Sequence, residues 1–516
     1  MTNQPNGPDP LRPWWRGWWG IGVFVLVGAL LAGGILWLVR PDSNEDRCAP
    51  GVSDLRWAGS GEQRECVGFT NEVAFAFDPG LKAITDRIAA ENKRVRDQWD
   101  KPAAGRTRIP YVRIALLTPL TASDTSALPL DQIRTSLEGA FTAQCRANLC
   151  PGLADAGAVG IQGTTPLIQL LLANEGRNET HWQPVVAQLA ALTGGEHPLV
   201  AVAGMGISVP ETQAAADALA KLRIPAIGAI LTADDLNAEN LFKVSPANLD
   251  YAKALRDYLD HSPLVGHTGY LVFDSRQDNY VRSLRTSFDQ QLADYIGARR
   301  ASFVGTTGTR PEGVPRLFGN IVNNICLTKA DVILYAGRDR DLSDLVDALS
   351  TRAQCGHDAP ITILTGATGT FAQGQEARAR LRAGGITLVD ASATAPARWI
   401  AGKQPPVGFA PFHRSFQDLH FADTELQDGY AIMHHDAVLT AIFATRIVTD
   451  LTGKTTPDHQ DVLNEITNLH DASPIPAASG RLSFDDASHG WPHDKPVPLI
   501  RFPADFDTPG QEYRTP

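Results

Sequence analysis

From Arg108 onward the chain alternates short apolar runs with helical stretches, and this alternation constrains the fold more than any other feature. Strands are predicted at 112–117, 167–173, 198–203, 224–228, 268–273, 300–304, 331–335 and 360–364. Helices are predicted between them at 129–147, 181–193, 210–222, 248–260, 279–296, 313–328 and 341–353. Val112-Arg-Ile-Ala-Leu-Leu117 shows the type: a nearly continuous apolar run suits a strand covered on both faces. Strand–helix repeats build βαβ units and parallel sheets. So many strands exceed one tidy sheet, and 516 residues exceed what a single core supports. The expected class is therefore α/β, with two doubly wound lobes joined by a hinge. We place lobe 1 at 107–255, lobe 2 at 256–395, and a return to lobe 1 with a C-terminal segment at 396–516.

The N-terminus sets the compartment. Gly20 to Val39 reads GIGVFVLVGALLAGGILWLV, without a charge, and about 20 such residues cross a bilayer as a helix. Trp14, Trp15, Trp18 and Trp19 lie at one end and Trp37 near the other, as in an interfacial aromatic belt. Arg12 and Arg16 precede the run, whereas Asp42, Glu45 and Asp46 follow it, which favours a cytoplasmic N-terminus. The expectation is a tail at 1–19, a single-pass anchor at 20–39 and a polar extracytoplasmic stalk at 40–106 carrying a helix from Leu81 to about Trp99. A cleaved signal peptide is the rival, but its apolar core would be shorter and would end in small residues rather than in LWLVR.

The six cysteines agree with an oxidising compartment, since none sits in a C-x-x-C pair of the zinc or thioredoxin kind. Six allow 15 connectivities. Short loops close at low entropic cost, which favours Cys48–Cys66, Cys145–Cys150 and Cys326–Cys355. A net charge of −11 excludes the basic surface that nucleic acid demands. No G-x-S-x-G elbow, P-loop or H-E-x-x-H occurs, which disfavours the common hydrolases and nucleotide enzymes. Gly204-x-Gly206 lacks the third glycine of a dinucleotide fingerprint, and no cofactor is implied. Neighbouring residues on a helix face different ways, so His434-His435-Asp436 reads as helix packing rather than as a metal site.

Ligands in open α/β sheets bind beyond the carboxyl ends of strands. Three such places stand out: Leu117–Thr121, Ala203–Ser208 just before a helix, and Gly228–Asp234. Glycines there let the backbone approach a ligand, and a helix N-terminus offers free N–H groups to a carboxylate. A tight turn without a ligand explains the glycines equally simply.

Taken in order, several segments resemble the type I periplasmic binding proteins of the leucine/isoleucine/valine-binding group. Ile114–Thr121 is similar to that family's first strand and loop, Val200–Ser208 to its carboxylate-gripping segment, and Ile224–Ala233 to the next strand and loop. Leu241–Asn248 resembles the entry to the hinge, Asp274–Leu284 the aspartate-tyrosine loop, and Asp428-Gly-Tyr430 with His435-Asp-Ala437 the late helix. The resemblance implies a solute-binding protein closing over a small amino-acid-like or carboxylate-bearing molecule, with an ABC permease as partner. It places Ser208, Ile230 (through its backbone) and Thr232 on the ligand carboxylate and Tyr280 over the ligand. Ala367 stands where an acidic partner for an ammonium group is expected. Either the ligand is no simple α-amino acid or Asp339 supplies the counter-charge; a solvated Arg338–Asp339 loop pair is the plain alternative. A ligand-sensing ectodomain is the second functional reading, and an enzyme a third.

Overall fold

In the computed structural model, described residues run from 47 to 516 apart from 50–51, 53, 103–104, 154–160, 162, 263, 265–266, 277, 308–316, 357–358, 367–373, 471–473, 485–487 and 504–511. The expected tail and anchor lie outside them.

Two sheets carry the chain. The first contains β1 (Leu55–Ala58), β2 (Glu65–Thr70), β3 (Tyr111–Leu117), β4 (Leu167–Asn174), β5 (Leu199–Gly204), β6 (Ala226–Gly228) and β7 (Leu241–Lys243). Their spatial order is β1-β2-β4-β3-β5-β6-β7, parallel from β4 through β7 with β1 and β2 antiparallel at one edge. The second contains β8 (Gly269–Asp274), β9 (Arg300–Phe303), β10 (Val332–Ala336), β11 (Ile361–Gly366) and β12 (Ile386–Ala391), closed by an antiparallel strand, Leu499–Phe502. Its order runs from that strand through β12, β11, β10 and β8 to β9. Every residue of β4, β5, β10 and β11 is buried, as continuous apolar strands under two helical layers require.

The helices are α1 (Lys82–Asp100), α2 (Leu130–Asn148), α3 (Trp182–Ala190), α4 (Pro210–Lys221), α5 (Asn248–His261), α6 (Asn279–Gln291), α7 (Gly319–Thr328), α8 (Asp339–Ser350), α9 (Gln375–Ala383), α10 (Pro396–Ile400), α11 (Phe409–Asp418), α12 (Tyr430–Thr452) and α13 (His459–Thr467). The alternation anticipated from sequence is present, with α6 broken at Leu292 before a further turn, Ala293–Ile296.

Three boundaries differ from expectation. The stretch read as a stalk is part of lobe 1: β2 pairs with β4 through Gly68–Thr70, and α1 buries Ile84, Ile88 and Val95. Helix α5 belongs to lobe 2, because Tyr251, Ala252 and Leu255 pack with Leu271 and Leu334. The segment after 396 does not stay with lobe 1, since Leu499–Phe502 completes the second sheet. The chain thus crosses between lobes near 244–247, after β12, and again near 495–498. Strands β7 and β12 were not assigned from the sequence; β7 has only three residues, whereas β12 has six, as many as β5.

Helix α12 is long and apolar enough to cross a membrane, yet 89% of its apolar window is buried within the protein. It is a core helix against α2. The two backbones touch at Gly139, where a Cβ would lie 1.9 Å from the Ala431 carbonyl oxygen. Helix propensity alone favours alanine there by about 0.5–1 kcal/mol. Overpacking against an immovable backbone costs about 1–3 kcal/mol or more and decides the sign. Gly139→Ala should therefore lower the melting temperature; an unchanged or raised value would show that the helices can part.

Cys145–Cys150 and Cys326–Cys355 are bridged, with Cα separations of 4.8 and 5.2 Å. Cys48 and Cys66 are likewise oxidised.

Candidate ligand-binding site

The carboxyl end of β5 turns through Gly204, Met205 and Gly206, all at positive φ (90°, 59° and 56°). Glycine is required at the third: a Cβ on Gly206 would meet the Glu179 carboxylate at 2.2 Å. Glu179 holds this loop from behind. Its Oε1 accepts the Ile207 N–H at 2.8 Å, and its Oε2 pairs with the Thr212 hydroxyl, which also reaches the Ile207 carbonyl. Burial pushes the Glu179 carboxyl up to about 8. The Thr212 and Ile207 hydrogen bonds pull in the opposite direction, since donors to a carboxylate favour its charged form.

Ser208 follows. It does not cap α4, whose N-cap is Val209 without a side-chain bond. Its hydroxyl instead accepts the N–H groups of Thr232 (3.1 Å) and Ala233 (3.3 Å), tying the β5 loop to the β6 loop. The Thr232 carbonyl then accepts the Asn248 N–H at 2.7 Å, at the first crossing.

Lobe 2 meets this platform directly. Asp278 caps α6 by accepting the Val281 N–H, and the next turn presents Tyr280. The Tyr280 N–H donates to the Ser208 carbonyl at 3.2 Å, and its hydroxyl donates to the Gly366 carbonyl at 2.5 Å. Arg338, just ahead of α8, forks onto both oxygens of Asp278 at 2.8 and 3.0 Å, reaches the Ser208 carbonyl at 3.4 Å and lies 5.0 Å from the Tyr280 ring centre. Ser283 donates to Asp234 at 2.5 Å, adding a further clasp between lobes.

Between these elements, at the carboxyl ends of the strands, lies a cleft. All five residues singled out from sequence line it: Ser208, Ile230 and Thr232 from lobe 1, Tyr280 and Asp339 from lobe 2. Arg338 and Asp339 are not a solvated pair, since Arg338 is committed to Asp278. The loop containing Ala367 lies outside the described residues beyond Gly366.

Other lining side chains carried no assigned role in the sequence reading. Tyr251 and Asp390 went unnoticed there, because α5 was assigned to lobe 1 and β12 was not recognised as a strand. Asp428 and Tyr430 bear the family resemblance but gave no hint of geometry. Asp428 accepts the Thr135 hydroxyl (2.7 Å) and the Tyr430 N–H (2.9 Å), and burial raises its carboxyl to about 7. Burial also raises the Tyr280 and Tyr430 phenols, so both are neutral donors at physiological pH.

Two α/β lobes crossed by three segments, with a cleft at the strand ends, define the type I periplasmic binding fold. Among solved structures, the chain is similar to the branched-chain amino acid transporter substrate-binding protein LivJ from Streptococcus pneumoniae in complex with isoleucine. There the TM-score is 0.55 at 14% identity, covering 78% of this chain and 99% of that one. It is also similar to an ABC transporter solute-binding protein from R. palustris in complex with 4-hydroxybenzoate, with TM-score 0.56 and 11% identity over 78% and 95% of the chains. A leucine-binding protein, LivK from Thermotoga maritima, matches with TM-score 0.52 at 15% identity over 78% and 98%. No protein-family model and no curated protein sequence matches the chain.

Proposed function

We propose that the protein is an extracytoplasmic solute-binding protein that captures a small carboxylate-bearing, amino-acid-like molecule by closing its two lobes, without chemistry on it. The observation that carries this reading is the convergence of Ser208, Thr232 and Tyr280 on one cleft from two lobes. Ligand would dock on the lobe 1 loops, and contacts such as Tyr280 to Ser208 would stabilise the closed form. The neighbours in fold, bound to isoleucine and 4-hydroxybenzoate, support a small carboxylate as cargo. We assign the ligand carboxylate to the Ser208–Thr232 platform and delivery to an ABC permease. The disulfides suit an oxidising compartment, and the run 20–39 would tether the protein to the membrane.

Replacing Ser208 or Thr232 by alanine should weaken binding by about 1–3 kcal/mol, roughly fivefold to 150-fold. Ser208→Ala should also lower the melting temperature of the free protein, since the Thr232 and Ala233 N–H groups lose their acceptor. Titration calorimetry with small carboxylates, beside melting curves, checks both effects. If no amino acid or other small carboxylate binds or raises the melting temperature, the reading fails.

A further inference from the structure

We propose that residues 512–515 form a strap that ties the three interlobe crossings to one another and so limits how far the lobes open. The strap acts on the crossings, whatever the cleft binds.

Four consecutive residues reach all three crossings. At the third, Tyr513 and Arg514 pair antiparallel with Val497 and Pro496. Proline has no N–H, so a ladder through Pro496 must find its bonds on either side. Thr515 supplies them. Its N–H donates to the Lys495 carbonyl at 2.9 Å. Its hydroxyl accepts the Lys495 N–H (2.9 Å) and donates to the Pro492 carbonyl (2.7 Å). At the first crossing, the Tyr513 hydroxyl donates to Asp250 Oδ1 at 3.3 Å, and Asp250 Oδ2 accepts the Ala247 N–H at 3.3 Å. Just past the second, Glu512 stands 3.6 Å from the Arg398 guanidinium in α10.

The strap also runs from one lobe to the other. Thr515 is buried on Lys495, whose ammonium is anchored through the Ser479 hydroxyl to Asp436 of α12. Tyr513 packs with Val497 against the lobe 2 core around Tyr251 and Leu255. Opening two lobes concentrates the φ/ψ change in the few residues between them. A strand laid on one crossing and bonded beside the other two makes all three turn together. Asp250 is the joint, because its carboxylate folds back on Ala247 just ahead of α5. The next residue, Asn248, donates its N–H to the Thr232 carbonyl of lobe 1 at 2.7 Å.

Hydrogen–deuterium exchange on the ligand-free full chain tests this, with melting curves and small-angle X-ray scattering beside it. Thr515→Val keeps the side-chain shape, loses the hydroxyl and touches only the third crossing. If the strap ties the crossings, Thr515→Val should speed amide exchange about fivefold or more at 244–250 as well as at 492–498, leaving β4 and β10 unchanged. Tyr513→Phe loses only the bond to Asp250, and should speed exchange at 492–498 as well as at 244–250. Both variants should also enlarge the radius of gyration, since the lobes open further. Faster exchange confined to the crossing that each variant touches, or an unchanged radius of gyration, overturns the proposal and leaves 512–515 a local edge strand. Should Thr515→Val loosen β4 and β10 too, the whole fold has weakened, and Tyr513→Phe, which keeps its ring in the lobe 2 core, decides by the same two readouts.

Discussion

Asp436→Ala is expected to lower the unfolding free energy by about 3–5 kcal/mol, the range for stripping one partner from a buried charge cluster. Asp436 is fully buried in α12. Its Oδ1 accepts the Ala478 N–H (2.9 Å) and the His435 Nδ1–H (2.8 Å). Its Oδ2 accepts the Ser479 N–H (2.7 Å) and the Ser479 hydroxyl. Arg146 can only donate, so its contact with His435 Nε2 at 2.7 Å makes that nitrogen the acceptor and leaves the proton on Nδ1. Lys495, also fully buried, donates to Ser479 Oγ at 2.5 Å. Loss of the carboxylate orphans two backbone N–H groups and leaves the Lys495 cation without its counter-charge. Because Lys495 immediately precedes the last crossing between lobes, the damage reaches the hinge.

The pH dependence follows from Lys495. Burial pushes its ammonium down to about 8 from an ordinary 10.5. Between those values the unfolded chain holds a proton that the folded chain has shed, so this group makes stability rise with pH across that window. Removing Asp436 takes away the charge that holds the Lys495 ammonium up, so Asp436→Ala should regain part of its loss relative to wild type as pH rises toward about 8. Asp436→Ala with Lys495→Met should recover more than either change alone predicts. Chemical denaturation at two pH values reads both effects. A loss under about 1 kcal/mol would mean that water reaches the cluster.

What could be read from the chain beforehand was what local pattern encodes. Strands β3, β4, β5, β8, β10 and β11 announce themselves because parallel strands under two helical layers are apolar throughout, and their carboxyl ends locate the cleft. Ser208 and Thr232 were found through that rule together with the family resemblance. What stayed hidden depends on partners distant in sequence. Whether 55–70 is a stalk or an edge of the first sheet turns on pairing with Asn174, Ala173 and Leu172, about a hundred residues on. Tyr251 reaches the cleft only because α5 joins lobe 2, and Asp390 because β12 is held between β11 and a strand from the far C-terminus. The pairing of Arg338 with Asp278 spans two strand–helix units and leaves no local trace.

That pair carries the second large effect. Arg338→Met should destabilise the protein by about 3 kcal/mol, the lower part of the range for breaking a buried pair, since both side chains keep 12% exposure. Methionine keeps much of the apolar stem but abandons Asp278, which then depends on the Val281 N–H at the start of α6. Arg338→Lys keeps the charge without the fork and should fall between wild type and Arg338→Met. Arg338→Met with Asp278→Asn should restore stability toward wild type, because the uncompensated carboxylate is gone. The functional readout separates a local brace from an interlobe one. Arg338 also bonds the Ser208 carbonyl and covers the Tyr280 ring, two residues from opposite lobes. If it helps hold the lobes closed, the double variant should regain stability yet release ligand faster, with affinity lowered mainly through the off-rate. Stopped-flow dissociation beside denaturation curves distinguishes the cases. Recovery of stability with an unchanged off-rate would confine Arg338 to bracing the start of α6.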